Sequence, residues 1–247
     1  MRKVFIFDYD DTLVWNNLLY NKAHTEFLNW ILKQLGPKTP EIPVICRVYE
    51  KIDTEAVKTM GFSSERFPTS IKKTYKKICQ SLGVKPLEKD LEKAYQIGKM
   101  AFDENLWKEQ GLVEGAEETL DFLLEQNDKL ILLTKGDINI QRKKIEATNC
   151  KKWFGENIYI IPKKDKTAFD SLLKEKPIGS VWHVGNSMKS DVRPALEAGI
   201  KMIYIPCETW AYEREDETKK LLKTIDPNQV LVYNEIIKIK KNYKRLK

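Results

Sequence analysis

"VFIFDYDDTL", residues 4–13, decides how the rest of the chain is read. Four apolar residues, the pattern of a strand buried on both faces, run straight into Asp8, Asp10 and Asp11, three carboxylates within four positions. Like charges this close repel, and carboxylates taken out of water are costly unless something neutralises them. Two arrangements relieve that cost. The aspartates form a turn and helix cap in contact with water, or a cation and a reacting group are held at the strand end.

The sequence around this stretch supplies the frame. From Gly115 onward, short apolar runs alternate with helical stretches: "KLILLT" (129–134), "IYII" (158–161), "SVWHVG" (180–185) and "KMIYIP" (201–206) read as strands, and "AEETLDFLLEQ", "KTAFDSLLKE" and "DVRPALEAG" as helices. The last ends at Gly199, as a helix C-terminus should. Strands alternating with helices predict an α/β fold, a Rossmann-like doubly wound parallel sheet with "KVFIFD" as one of its strands. Residues 15–110 lack the alternation. "NNLLYNKAHTEFLNWILKQLGP" puts Leu19, Ala23, Phe27, Trp30 and Ile31 on one helical face, and "SIKKTYKKICQSLG" does the same with Ile71, Tyr75 and Ile78. With "EKDLEKAYQIGKMAF" as a third helix, this region reads as an all-helical insertion, leaving residues 1–14 and 111–247 as the α/β core.

Bulk composition narrows the classes. A hydrophobic fraction of 42% with 10% aromatics is enough for a core and excludes disorder. No apolar run is long enough to span a bilayer, and the stretch after Arg2 and Lys3 stops too soon for a signal peptide. Cys46, Cys79, Cys150 and Cys207 are scattered and read as reduced thiols, so a cytoplasmic setting is expected. His24 and His183 are too few for a histidine-based metal site or triad, and His183, inside "VWHVG", reads as a packed imidazole. The net charge of +7 balances 43 basic against 36 acidic residues; anionic substrates suit it, nucleic acid is not indicated, and the basic tail "KIKKNYKRLK" (238–247) reads as a solvated helix end. Oligomeric state is open.

In open parallel sheets the ligand lies beyond the carboxyl ends of the strands. That rule gathers Asp8, Asp10, Asp11 and Thr12 with Thr134-Lys135-Gly136, Lys163-Lys164, Gly185-Asn186-Ser187 and Asp191. These are carboxylates, a hydroxyl, an amide and ammonium groups: parts that hold a divalent cation and a phosphoryl group.

The set, in this order, resembles the haloacid dehalogenase superfamily in its phosphatase branch. "DYDDT" (8–12) is similar to the D-x-D-x-T signature, "LILLT" ends in the threonine of the second motif, "PKKD" carries the lysine of the third, and "GNSMKSD" (185–191) resembles the fourth. The helical insertion matches the position of the family's cap, which chooses the substrate. The resemblance implies a Mg²⁺-dependent phosphatase of a small phosphorylated metabolite, working through an aspartyl-phosphate. Asp8 would be the nucleophile and Asp10 the acid and base. Thr134 would bind phosphoryl oxygens, and a lysine would neutralise charge. Spacing to Phe169 favours Lys164, with Lys163 next and Lys166 nearby. Mg²⁺ would be held by Asp8, the Asp10 carbonyl and the Asn186–Asp191 loop, in which either Asn186 or Asp191 is the direct ligand. Thr12, Lys135, Gly136, Trp15 and Arg47 complete the candidate substrate-binding set. Asp11 has no role in the scheme and is expected in water. "CETWAYE" (207–213) is a candidate pocket wall.

Two features test the resemblance. Asn186 stands where many relatives carry an acidic residue, which removes one negative charge. Asp10 is absent from dehalogenases, whose halide needs no proton, and so favours phosphate-ester chemistry. The rivals are a phosphomutase, a 2-haloacid dehalogenase and a catalytically silent binding module.

Overall fold

The computed structural model describes residues 2–173, 181–207, 210, 225–226 and 228–246. The "CETWAYE" stretch therefore lies mostly outside the described residues. The chain divides into two compact units, one of residues Met1–Trp15 and Trp107–Lys247, the other of Asn16–Leu106.

The first unit is built on six strands: β1 (Val4–Phe7), β2 (Lys129–Lys135), β3 (Ile158–Ile161), β4 (Val181–Gly185), β5 (Lys201–Tyr204) and β6 (Val230–Val232). They form one sheet in the order β3-β2-β1-β4-β5-β6, every neighbouring pair parallel. Strand order reverses direction at β1, which lies between β2 and β4 with Phe7 level with Leu132 and Val184. Ligands bind at such a switch point, and Asp8 follows β1 there, its backbone N–H donating to Val184 O at 2.8 Å. The sequence reading lacks β6, whose three residues are too short for a periodic signal.

The second unit is all-helical. It contains α1 (Asn16–Leu35), α2 (Ile42–Met60), α3 (Arg66–Ser81), α4 (Glu88–Lys99) and the start of α5 (Glu104–Gln110). Phe27, Ile31, Ile71, Tyr75 and Ile78 from the predicted faces meet Leu91, Ala94 and Ile97 of α4 in one core, with Trp30 half-buried against it. Periodicity alone does not reveal α2, which opens on Ile42-Pro43-Val44-Ile45: β-branched residues suggest a strand, while Pro43 in the first turn is compatible with a helix start. Inside this unit Arg66 and Asp53 form a buried ion pair.

Helices cover both faces of the sheet, because alternate strand residues point to opposite sides. Phe5, Phe7, Leu130 and Leu132 pack on α6 (Ala116–Glu125), α7 (Ile138–Ala147) and α8 (Lys151–Phe154) through Leu120, Leu123, Ile145 and Phe154. Val4, Ile6, Ile131 and Leu133 face α9 (Lys166–Leu173) and α10 (Arg193–Glu197) through Phe169, Leu172 and Ala195. The basic tail is anchored: Ile239 of α11 (Lys238–Lys241) and Leu246 are buried in the first of these cores. Tyr243 donates to Asp128 Oδ2 at 2.6 Å, and Lys3 Nζ sits 3.7 Å above the Tyr243 ring.

Candidate active site

The loop after β1 turns tightly. Leu13 N–H donates to Tyr9 O at 2.8 Å, and Asp11 adopts φ 58°, a left-handed conformation that aspartate tolerates better than most residues. Asp11 is buried, contrary to the expectation that it faces water. The turn brings Thr12 back over the strand end, where its hydroxyl lies 3.3 Å from Asp8 Oδ2 and 3.4 Å from Asn186 Oδ1. Asn186 is held by its other amide atom, Nδ2 donating to Cys207 O at 2.9 Å. One hydroxyl thus marks the place where a carboxylate oxygen of Asp8 and the amide oxygen of Asn186 converge.

Asp8 itself is buried, and its other oxygen accepts from the Lys164 ammonium, which also donates to Asp191 Oδ1 at 2.7 Å. Of the lysines near β3, only Lys164 is enclosed in this way. Lys163, a second catalytic candidate by sequence, has a side chain 78% exposed and pairs with Asp165 at 3.4 Å. Lys166 pairs with Asp170 on the surface. Successive residues leaving a strand point in different directions, so one lysine of the pair enters the site and the other leaves it.

Asp191 is fully enclosed by protein donors. Besides Lys164, its Oδ1 lies 2.9 Å from His183 Nε2, and its Oδ2 accepts from Ser187 N–H at 3.0 Å. His183 Nδ1 in turn lies 2.8 Å from Ile6 O. Asp191 thus holds Lys164 and the start of the loop, whereas the Asn186 amide oxygen lies beside the Thr12 hydroxyl. Gly185 makes this packing possible: a Cβ there would stand 2.7 Å from the Cβ and Oδ2 of Asp191.

The electrostatics follow from two carboxylates sharing one ammonium. Burial works to raise the Asp191 carboxyl, but Lys164 and His183 hold it well below the ordinary carboxylate range. Burial works against the Lys164 ammonium, but Asp191 and Asp8 together hold it above the usual lysine range. Burial pushes the His183 imidazole down. Asp8 is left with the unbalanced charge: burial first, then Asp191, push its carboxyl up to about 7 despite Lys164. A buried carboxylate held near its own protonation point is short of compensating positive charge, which a divalent cation would bring.

The donor set fits a hard cation. Oxygen atoms of Asp8 and Asn186 both lie beside the Thr12 hydroxyl, and the set offers oxygens rather than thiols or imidazoles, as Mg²⁺ requires. Among the described residues there is no group of three or more His, Cys, Asp and Glu side chains arranged to hold a metal. The set here is instead one carboxylate, one side-chain amide and, by the resemblance, a main-chain carbonyl.

On the other side of Asp8 stands Asp10, with a carboxylate 25% exposed. Its Oδ1 accepts from the buried Lys144 ammonium, and its Oδ2 from Gln141 Nε2 at 2.8 Å. Gln141 Nε2 also lies 2.8 Å from Thr134 Oγ1 and 3.1 Å from Lys135 O. Neither Gln141 nor Lys144 is among the residues picked out from sequence. The only signal they carry is an i, i+3 spacing on α7, and nothing in sequence separates Lys144 from its exposed neighbour Lys143. Thr134 is buried near the end of β2, and Gly136 adopts φ 142°, a backbone conformation few other residues take. Lys135 reaches Ser190 Oγ with its ammonium. Trp15 is 44% exposed, and Arg47 is exposed on α2 in the helical unit.

A buried acidic side chain at the switch point of a six-stranded parallel sheet, bridged by lysine to a second carboxylate and flanked by a hydroxyl and a third, defines a hydrolase or group-transfer centre of the doubly wound class. The chain belongs to the haloacid dehalogenase-like hydrolases, whose family model matches residues 2–199. Among solved structures it is similar to a haloacid dehalogenase-like family hydrolase of Xanthomonas campestris, at 21% identity and a TM-score of 0.72 over 99% of this chain and 91% of that one. A candidate HAD hydrolase of Bacillus subtilis, YfnB, bound to magnesium, aligns with a TM-score of 0.61 at 15% identity, over 99% and 98%. The L-2-haloacid dehalogenase of Xanthobacter autotrophicus aligns over 100% of both chains at 15% identity and a TM-score of 0.55. No curated protein matches the chain.

Proposed function

We propose that the protein is a Mg²⁺-dependent phosphatase that hydrolyses a small phosphorylated metabolite through an aspartyl-phosphate on Asp8. The observation that carries this reading is Asp10. A second carboxylate two residues past the nucleophile is held beside Thr134 and remains open to solvent, where a leaving alkoxide needs a proton and a halide does not. Asp8 attacks phosphorus, the bond to the leaving oxygen breaks, and Asp10 gives that oxygen its proton. Water then attacks the aspartyl-phosphate, Asp10 takes its proton back, and phosphate and the free Asp8 carboxylate are regenerated. Thr134 donates to a phosphoryl oxygen, and Lys164 offsets charge gathered at Asp8. Asp8, the Asp10 carbonyl and Asn186 would hold Mg²⁺, which would supply the charge shielding between the phosphate and the attacking carboxylate.

In this reading the helical unit is the cap and sets which metabolite is accepted. Four free cysteines support a cytoplasmic setting. Among the described residues no helix is long and apolar enough to cross a membrane. The test is turnover of p-nitrophenyl phosphate and a panel of sugar and nucleoside monophosphates in Mg²⁺ and in EDTA. Metal-dependent phosphate release is expected. Chloride release from 2-chloropropionate, independent of metal and without any phosphate release, would establish a dehalogenase instead.

Asn186 gives this reading a second handle. Replacing it by Asp restores a charge where the amide oxygen faces Asp8, so Asn186→Asp is expected to lower the half-saturating Mg²⁺ concentration about tenfold, since ligand charge tunes cation affinity. Titration of activity against Mg²⁺ checks it. An unchanged midpoint would remove Asn186 from the cation site.

A further inference from the structure

We propose that Gln141 and Lys144 are positioning residues that set the place of the proton-transferring carboxylate, and that Gln141 also orients the phosphoryl-binding hydroxyl. The inference rests on the phosphatase reading and adds to it two residues on α7, one turn apart, outside the four motifs.

Lys144 is buried, with a side chain 6% exposed, and its ammonium pairs with the Asp10 carboxylate. A buried ammonium is costly unless it is paired, so this side chain is placed for a partner rather than for packing. Gln141 is buried too, and its Oε1 has no hydrogen-bond partner among the described residues. An apolar residue would fill that position on α7 without leaving an acceptor unsatisfied, so stability does not explain an amide here. Its Nε2 does. Two hydrogens are directed at acceptors 2.8 Å away, Asp10 Oδ2 and Thr134 Oγ1, with Lys135 O sharing at 3.1 Å.

Two consequences follow from donor and acceptor rules. Because Thr134 Oγ1 accepts from Gln141, its own hydrogen is turned away from the amide and is available to a phosphoryl oxygen. Because Asp10 is gripped through both oxygens, by Lys144 at Oδ1 and Gln141 at Oδ2, its plane and direction are set before substrate arrives. Gln141 thus ties the group that handles the leaving oxygen to the group that handles the phosphoryl oxygens, fixing their spacing as in-line transfer demands.

A residue that acts through Asp10 matters in proportion to how badly the leaving group needs a proton. The test is kcat/KM in Mg²⁺ across a series of monophosphates from nitrophenyl esters to alkyl esters. Wild type would be compared with Lys144→Met, Gln141→Met, Lys144→Arg and, as a control, Lys143→Met on the exposed side of α7, all checked for folding by thermal melt. Lys144→Met and Gln141→Met are expected to lose about 100-fold on alkyl esters, the range of general acid catalysis, but only a few-fold on nitrophenyl phosphate. Lys144→Arg is expected to restore most of the alkyl-ester rate, and Lys143→Met to match wild type. Gln141→Met alone is expected to weaken competitive inhibition by inorganic phosphate, because only it releases the Thr134 hydroxyl.

Equal losses on all esters would overturn the positioning role while leaving the phosphatase reading intact. A wild-type protein inactive on every ester would sink that reading, and this inference with it. Should Lys144→Met fail to fold, the same comparison is made with Gln141→Met, and a flat leaving-group profile there is enough to reject the proposal.

Discussion

Asp8→Asn is expected to abolish phosphate release and, at the same time, to make the metal-free protein more stable above neutral pH. Loss of the nucleophile removes the covalent route, with an expected fall in kcat of about 10⁴-fold or more, in line with nucleophile deletions elsewhere. The stability effect comes from the same carboxyl. Its folded value of about 7 lies above the ordinary value of 3.8, so between these limits the native state binds more protons than the unfolded chain. Whatever Asp8 contributes in its neutral form is present below the unfolded value and is lost as pH rises through 7. At pH 8 wild type carries a buried, under-compensated charge that asparagine does not. Every tenfold change in proton affinity is worth about 1.4 kcal/mol, so roughly 4 kcal/mol is the ceiling of the gain. The Asn amide keeps an oxygen for Lys164, and its NH₂ can donate to the Thr12 hydroxyl.

Thermal melts in EDTA at pH 5 and pH 8 would reveal it: Asp8→Asn should melt several degrees higher than wild type at pH 8, with the gap narrowing toward pH 5. Added Mg²⁺ should raise wild type more than the variant. A variant that melts at or below wild type at pH 8 would mean that Asp8 is not the strained member of the cluster.

Lys164→Met is the largest loss of stability expected in the α/β unit. It leaves Asp8 and Asp191 facing each other, both buried, without the ammonium that joins them. Removing one partner of a buried ion pair costs about 3–5 kcal/mol, chiefly through the charge left behind. The sign with pH is again fixed. In wild type the depressed Asp191 carboxyl contributes stability above the unfolded carboxylate value and loses it as pH falls. Without Lys164 both carboxyls are driven upward, so the deficit of the variant grows with pH from about 4 upward. Urea unfolding at pH 5 and pH 8 should therefore show a much larger difference from wild type at pH 8, partly recovered by Mg²⁺. A deficit independent of pH would point to lost packing instead.

Much of this architecture is legible in the sequence because strands and helices alternate at spacings that leave few other folds, and because charged residues end apolar runs where the sheet needs them. Asp8, Thr134 and Asn186 are singled out as candidates because each stands at or beside a strand end, in a stretch that resembles a family motif. Lys164 against Lys163 is not decided that way, since adjacent residues differ only in the direction the backbone gives them. Asp191 reads as a candidate ligand, and its contacts to Ser187, Lys164 and His183 inside the protein are not legible in the sequence. Asp11 reads as solvent-facing because acidic residues usually are, yet the tight turn buries it. Gln141 and Lys144 are hidden for another reason: their significance lies in a contact 131 and 134 residues away in the chain, and no local pattern encodes it.

The central place of β1 also bears on the order in which the molecule is made. The helical unit is one continuous stretch, Asn16–Leu106, and its contacts are complete once that stretch has been synthesised. β1 precedes it but must wait, since its two neighbours are β2 and β4, and parallel pairings of such long sequence separation are slow to close. Lys164 reaches Asp8 across 156 residues, and Thr12 reaches Asn186 across 174. A nascent chain halted before residue 181 already contains Asp8, Asp10, Thr134 and Lys164, yet has neither β4, which pairs with β1 beside Asp8, nor Asp191, which holds Lys164. The buried cluster around Asp8 is therefore assembled late in synthesis, only after most of the chain has emerged.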